Sequence, residues 1–251
     1  MQNIINNIYL KIYKIINILL SCNFIIYNAF FRYGISPSYE HKKILKTISS
    51  INTFIDVGAN KGQFTLLANN FFPKSKIYVF EPLISEFNFL QKNFTQEKNI
   101  KLFNFAVGKK NKSINIFETK QKDSSSLLKP NKLQLKYFPD VYVKNILKVK
   151  MIKLSSFIKS YKKPIFLKID VQGYELEVLK GADLKNIKYI YLEGSYVKLY
   201  TNQPLINSIS KYLSSKNFKK IGRFNILKDN FGKRLQADFL FINTKKLIKD
   251  K

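Results

Sequence analysis

Four acidic side chains stand where this chain could do chemistry. Asp56 lies within the apolar run Thr53–Val57, and Glu81 directly follows a second run at residues 77–80. Asp170 follows Ile165–Ile169, and Glu193 follows a run at 189–192. Short apolar runs bounded by turn residues read as buried strands. Open α/β sheets bind ligands in the crevice outside the carboxyl ends of their strands. A carboxylate there can accept hydrogen bonds from sugar hydroxyls, attract a cation or take a proton.

The stretch Asp56-Val57-Gly58-Ala59-Asn60-Lys61-Gly62-Gln63-Phe64 shows how the first acid is positioned. A strand stops at a glycine-containing turn and a helix-compatible segment follows at once. Glycines let backbone approach a ligand, and a helix N-terminus offers free N–H groups. Glu81 comes about 20 residues after Gly58, the spacing that places an acid on a bound ribose. A phosphate-binding P-loop needs Gly-Lys before Ser or Thr, and here Lys61 precedes Gly62. A dinucleotide site wants glycine where Asn60 stands, and Asp56 would repel a pyrophosphate. A cofactor with an ammonium group, a ribose and no phosphate meets neither objection. The loop chemistry therefore favours S-adenosylmethionine over NAD; the bland alternative is a glycine-containing turn in a plain α/β core.

The elements that must position these residues alternate. Strands are expected at Thr53–Val57, 77–80, 100–106, Ile165–Ile169 and 189–192, with an added strand at 113–118 and a final pair at 218–224 and 237–243. Helices are expected at 39–48, 63–72, 85–93 with Ser85 as cap, 174–180 with Gly181 as stop, and 205–216. Residues 119–150 read as a long polar, irregular stretch, and a loop of that length carries function. Five βα units and a terminal strand pair make an α/β class: a mostly parallel, Rossmann-like sheet with an antiparallel terminal strand, in the layout of class I methyltransferases. Residues 1–38 form an N-terminal helical extension ahead of a domain at 39–251. Residues 15–31 carry no charge but include Asn17, Ser21, Asn23 and Asn28, too polar for a spanning helix. The extension is expected to pack on the domain or to lie on a membrane surface, packing being favoured.

Composition bounds the function. Net charge is +28, from 44 basic and 16 acidic residues. Lysines are scattered, though dense at 144–153 and 159–163, so a solvated basic surface is favoured over a dedicated nucleic-acid face. Cys22 is the only cysteine, which excludes an intrachain disulfide framework and a Cys-based structural zinc site, and suits a reducing, cytoplasmic compartment. Leu19-Leu20-Ser21-Cys22 only superficially resembles a lipoprotein signal, because Asn17 interrupts the run before it.

Together the motifs resemble the FkbM family of S-adenosylmethionine-dependent methyltransferases. The matching pieces are Asp56 to Phe64, Phe80-Glu81-Pro82, Asn104-Phe105-Ala106-Val107-Gly108, Asp123-Ser124-Ser125-Ser126-Leu127-Leu128, Leu167 to Glu175, Glu177 to Gly181 and Leu199-Tyr200-x-x-Gln203-Pro204-Leu205. Glu40-His41 also resembles members of this group. Gln172 is Glu in many relatives. The resemblance covers residues 39–243. It implies methyl transfer to a hydroxyl, commonly of a sugar or another biosynthetic intermediate.

On that reading Asp56, Gly58, Asn60 and Gly62 surround the methionine part of the cofactor, Glu81 holds the ribose, and Phe105 and Ala106 lie by the adenine. Asp170 is placed at the reacting centre, with Glu193, His41 and Lys168 as further catalytic candidates. Two carboxylates could hold Mg²⁺, but the ligand set is incomplete. Ser124, Ser125, Tyr196, Tyr200 and Gln203 are candidates for the acceptor, against core packing for Tyr200. Methylation of RNA or DNA on the same fold is the competing reading. No Asn/Asp-Pro-Pro-aromatic sequence follows the strand that ends at Ile169, where amino-methylating enzymes place one.

Overall fold

The computed structural model describes residues 2–21, 23–158 and 161–247. Cys22, and Lys159 of the dense lysine stretch, lie outside them. Elements run α1 (Gln2–Leu19), α2 (Phe24–Tyr33), α3 (Lys42–Thr47), β1 (Thr53–Val57), α4 (Gln63–Phe71), β2 (Lys76–Phe80), α5 (Ile84–Phe94), β3 (Ile100–Phe103), β4 (Ala106–Gly108) and β5 (Lys112–Thr119). Then come α6 (Lys132–Tyr137), β6 (Val143–Lys153), α7 (Ser155–Ile158), β7 (Ile165–Ile169), α8 (Glu175–Gly181), β8 (Ile187–Ser195), α9 (Ile206–Ser215), β9 (Phe218–Lys228), β10 (Arg234–Asn243) and α10 (Thr244–Leu247). A seven-stranded sheet has the order β3-β2-β1-β7-β8-β10-β9. Its first five strands pair in parallel, and β10 pairs antiparallel with both β8 and β9.

Side-chain alternation sorts the strand residues between two cores. Phe54 of β1, Phe166 of β7, and Tyr189 and Tyr191 of β8 pack on one face of the sheet. Ile55, Val57, Leu167, Ile169, Ile190 and Leu192 pack on the other. Two-residue periodicity thus puts Asp56 and Lys168 on the face of Phe54 and Phe166. The two are direct partners in the β1–β7 register. Their side chains form an ion pair at 3.2 Å inside the sheet.

Chain order reverses between β1 and β7, and that is where the crevice opens. The loop from Gly58 to Gly62 crosses it. Gly58 has φ +76°, and a Cβ there would lie 1.9 Å from the Asp170 carbonyl oxygen. Only glycine lets the β1 loop pass this close to the end of β7.

Four expectations need correction. Residues 119–150 are not irregular: they hold a 3₁₀ turn at Lys122–Ser124, helix α6 and most of β6. Strand β6 joins β4 and β5 in a second, three-stranded sheet. Its inward positions Leu147, Val149 and Met151 alternate with Lys148 and Lys150, a pattern hidden by the lysines. The strand expected at 100–106 is two strands, one in each sheet, broken at Asn104 and Phe105. Ser85 is inside α5, whose cap position is Leu83, so it caps nothing. Gly181 is the last residue of α8 rather than the stop beyond it.

The N-terminal extension is packed on the domain. Ile18, Ile26, Ala29 and Ile35 are buried in the same core as Ile44, Phe64 and Phe94. Asn23 caps α2 by accepting from the Ile25 and Ile26 amides, and it donates to Asn70 Oδ1 of α4 at 3.1 Å. Among the described residues no helix is long and apolar enough to cross a membrane.

Candidate active site

Two cavities meet at the carboxyl ends of β1, β2 and β7. The first, partly open, is lined by Gly58, Asn60, Glu81, Pro82, Ala106, Asp123, Ser125, Ser126 and Asp170 together with apolar Leu83, Val107, Ile116 and Leu127. Glu81 closes its floor, buried at 5% exposure. One carboxyl oxygen accepts from the Asn60 amide at 2.8 Å, the other from the Leu83 amide at 2.9 Å. Burial pushes this carboxyl up to about 7, although the two amides pull it down. Each oxygen has a lone pair left for a hydroxyl in the cavity.

The second cavity lies on the other side of the loop. Its walls include Gly58, Asn60, Asp123, Lys168 and Asp170 from the domain, and Lys14, Ser36, Ser38, Glu40 and His41 from the extension and the turn after it. Gly58, Asn60, Asp123 and Asp170 line both cavities. Ser38 is buried, and its Oγ has no hydrogen-bond partner.

Lys168 is wired into the loop between the cavities. Its Nζ donates to the Gly58 carbonyl at 2.9 Å and lies 3.2 Å from Asp56 and 3.6 Å from Asp170. Burial alone lowers an ammonium's affinity for its proton, but Asp56 and Asp170 outweigh that and leave it raised. Lys168 is therefore a fixed cation, not a base. Asp56 is buried behind the cavity, where Thr65 Oγ1 also donates to it at 2.7 Å.

Asp170 is the exposed member of this chain, with a side chain 41% accessible. Gln172 Nε2 donates to it at 2.9 Å and to Glu193 at 3.1 Å. Gln236 Nε2 donates to the same Glu193 oxygen at 2.7 Å. Glu193 is raised well above the usual carboxyl range by burial and by the charges of Asp170, Asp238 and Glu175. Tyr200 Oη lies 3.1 Å from Gln172 Oε1 and 2.8 Å from the Ser124 carbonyl. Gln172 itself has a positive φ, +54°.

The structure brings Gly58, Asn60, Glu81, Ala106 and Asp170 to one cavity, and His41 and Lys168 to the adjoining one. It places other expected site residues elsewhere. Gly62 turns towards Phe94 and Leu90, away from the cavity. Phe105 lines a neighbouring groove with Asn104 and Leu147. Glu193 lines neither cavity and reaches Asp170 only through Gln172. Gln203 is buried, accepting from the Leu199 and Tyr200 amides and donating to Ser195 Oγ at 2.8 Å. Tyr200 is buried and engaged as above, so both brace the loop instead of facing an acceptor. Tyr196 packs edge-on against Phe239 and accepts from Arg223 at 3.3 Å. Ser125 lines the first cavity while its Oγ accepts from the Thr119 amide, and Ser124 contributes its carbonyl to Tyr200. His41 Nδ1 lies 2.7 Å from Tyr191 Oη, 3.1 Å from Asn225 Nδ2 and 3.5 Å from Asp238.

Ser38, Asn225 and Asp238 have no sequence signal of their own, whereas Gln172 lies in the motif Leu167 to Glu175. They come from turns and distant strands. Among the described residues no group of three or more His, Cys, Asp or Glu side chains could hold a metal ion.

A mostly parallel sheet with an antiparallel terminal strand, a turn at the β1 end and an acid at the β2 end define a class I methyltransferase. The chain belongs to the FkbM family, whose methyltransferase domain matches residues 56–220, more than half of its length. It is an S-adenosylmethionine-dependent methyltransferase of that type. It is 25% identical over 178 residues to "Methyltransferase 1" of Beauveria bassiana (strain ARSEF 2860), covering 65% of this chain and 71% of that protein. Solved structures with a similar course include a precorrin-6y C5,15-methyltransferase from Geobacter metallireducens GS-15, at 12% identity and TM-score 0.42, covering 80% of this chain and 86% of that one. Another is M. capricolum TrmK with S-adenosyl-homocysteine, at 14% identity and TM-score 0.46, covering 82% and 69%.

The residues present fit S-adenosylmethionine. Glu81 has lone pairs for ribose hydroxyls, the apolar wall of Leu83, Val107, Ile116 and Leu127 suits adenine, and the backbone of Gly58 to Asn60 leaves room for the methionine portion.

Proposed function

We propose that this chain transfers a methyl group from S-adenosylmethionine to a hydroxyl of a sugar, polysaccharide precursor or related biosynthetic intermediate. The observation that carries the proposal is the shared wall: Gly58, Asn60, Asp123 and Asp170 face both cavities. The cofactor takes the Glu81 side and the acceptor takes the Ser38 and His41 side. When bound, the cofactor supplies an electrophilic methyl group. The chain's own task is alignment and proton removal. Asp170 sits at the junction, and Gln172 and Lys168 fix the direction of its carboxylate. It accepts the proton of the acceptor hydroxyl.

The acceptor cavity's charges are offset within it. Lys14 pairs with Glu40 at 3.4 Å, and Lys168 with Asp56 and Asp170. Lys61 and Asp123 add one charge of each sign to its lining, and Ser38 Oγ and the His41 ring offer hydrogen bonding. That supports a hydroxyl-rich acceptor over a nucleic-acid backbone, which needs several lysines or arginines free to meet phosphates. The competing RNA-methylation reading keeps in its favour the overall charge of +28 and the basic stretches at 144–153 and 159–163, none of whose described residues lines this cavity.

The test is a transfer screen with labelled cofactor across sugar nucleotides, lipid-linked saccharides and RNA, with product masses read out. Label is expected in a saccharide hydroxyl. Asp170→Asn should lower turnover by about 10²–10⁴ with cofactor affinity nearly intact. Label confined to RNA would overturn the acceptor class, and normal turnover by Asp170→Asn would overturn its role.

A further inference from the structure

Helix α1 is two-faced in an unusual sense. Ile18 is buried against the domain, while Ile12, Ile15, Ile16 and Leu19 are 45–58% exposed. Spacings of three and four residues put these four on one outward stripe. Leu20, at the turn that follows, is 75% exposed. Helix α2 repeats the arrangement. Ile26 and Ala29 are buried, while Phe24 and Phe31, seven residues apart and so on one face, are 81% and 71% exposed. Seven exposed large apolar side chains thus fall within twenty residues or so. Tyr27 ties the two sets together, donating its hydroxyl to the Leu19 carbonyl at 2.9 Å and packing its ring on Phe31. Scattered exposed apolar residues need no explanation, but neighbouring sets of this kind mark an interaction surface.

The charge around this surface identifies its partner. Lys11, Lys14 and Arg32 are the only charged residues before Glu40, so the segment has no acid at all. Lys11 and Arg32 are exposed, and Arg32 lines a groove with Phe24, Phe31, Lys92 and Glu97. An apolar stripe flanked by cations, on helices that do not span, is the pattern of a segment lying in the interface of an anionic bilayer. We propose that α1 and α2 dock this protein on an anionic lipid surface through Ile12, Ile16, Leu19, Leu20, Phe24 and Phe31. The inner faces of the same helices stay packed on the domain, so docking needs no unfolding.

The full chain is tested by cosedimentation with vesicles of phosphatidylcholine plus phosphatidylglycerol, and of phosphatidylcholine alone. Binding is expected to the mixed vesicles, to weaken on raising salt, and to be at least about tenfold weaker without phosphatidylglycerol. The triple variant Leu20→Gln, Phe24→Gln, Phe31→Gln should lose about tenfold or more of that binding while its melting temperature holds, because all three side chains are exposed. No binding by the full chain, equal binding to both vesicles, or unchanged binding by the triple variant overturns the proposal. So does a stable dimer in sedimentation that the same variant dissociates, which would give this face to a second copy.

Discussion

At the scale of single residues, the decisive group is Glu81. Burial holds its carboxyl up to about 7 in the protein without cofactor, against an ordinary value of 4.5. Ribose hydroxyls donate best to the ionised form. Cofactor affinity should therefore rise as pH increases through about 7. Calorimetry at pH 6 and pH 8 measures this, and Glu81→Gln should both flatten the dependence and weaken binding about 10- to 100-fold. The same shift makes a stability claim with a definite sign. Between 4.5 and about 7 the folded state keeps a proton that the unfolded state has released, so this contribution is full below 4.5 and is lost as pH rises through about 7. Glu175, raised to about 7 mainly by burial, acts in the same direction. The melting temperature of cofactor-free protein should fall across that window, and Glu81→Gln should make the fall shallower; a fall unchanged in that variant would show that Glu81 ionises normally.

At the scale of elements, the contact between the β1 loop and the end of β7 sets the site. Gly58 touches the Asp170 backbone, Lys168 bonds the Gly58 carbonyl, and Asp56 holds Lys168 from behind. These contacts join the wall shared by the two cavities to the Asp170 carboxylate. Gly58→Ala would drive a Cβ into the Asp170 carbonyl and strain a backbone at φ +76°. The expected outcome is a loss of more than about 1 kcal/mol in chemical denaturation together with weakened cofactor binding. Wild-type affinity in that variant would mean that loop and strand move apart freely. The spacing of Gly58 and Glu81 made the cofactor side legible from sequence, because one strand, turn and helix lie contiguous in the chain. The support behind Asp170 was legible only in part: Gln172, Glu193 and Tyr200 stand out in the chain, but their joining into one network with Gln236 was not, because the four converge from separate segments.

At the scale of the whole molecule, the extension belongs to both the core and the second cavity. Ile18, Ile26 and Ala29 fill the same core as Phe64, and residues 34–41 wall the cavity. Removing residues 1–33 should expose that core and yield an aggregating or strongly destabilised protein, read by sedimentation and thermal melting. Ile26→Ala alone should cost about 2–5 kcal/mol. A soluble, fully stable truncated domain would show that the extension merely rests on the surface.

By itself the sequence determined the α/β class, the strand and glycine turn that open the crevice, and the acids Glu81 and Asp170 at strand ends. Each of these is written in local periodicity or in spacing along one or two adjacent elements, and β1 and β7 fall where the apolar runs place them. Only the tertiary structure decided which candidates face a ligand. Tyr200 and Gln203 look like acceptor contacts in the chain, yet they are buried and engaged with backbone and with Gln172 and Ser195. Ser38 looks like an ordinary turn residue, yet it lines the second cavity with an unpartnered hydroxyl. A polar side chain has the same identity whether it points to a cavity or to a neighbouring amide. Which of these it does depends on segments folded against it from elsewhere in the chain, and local pattern holds no record of them.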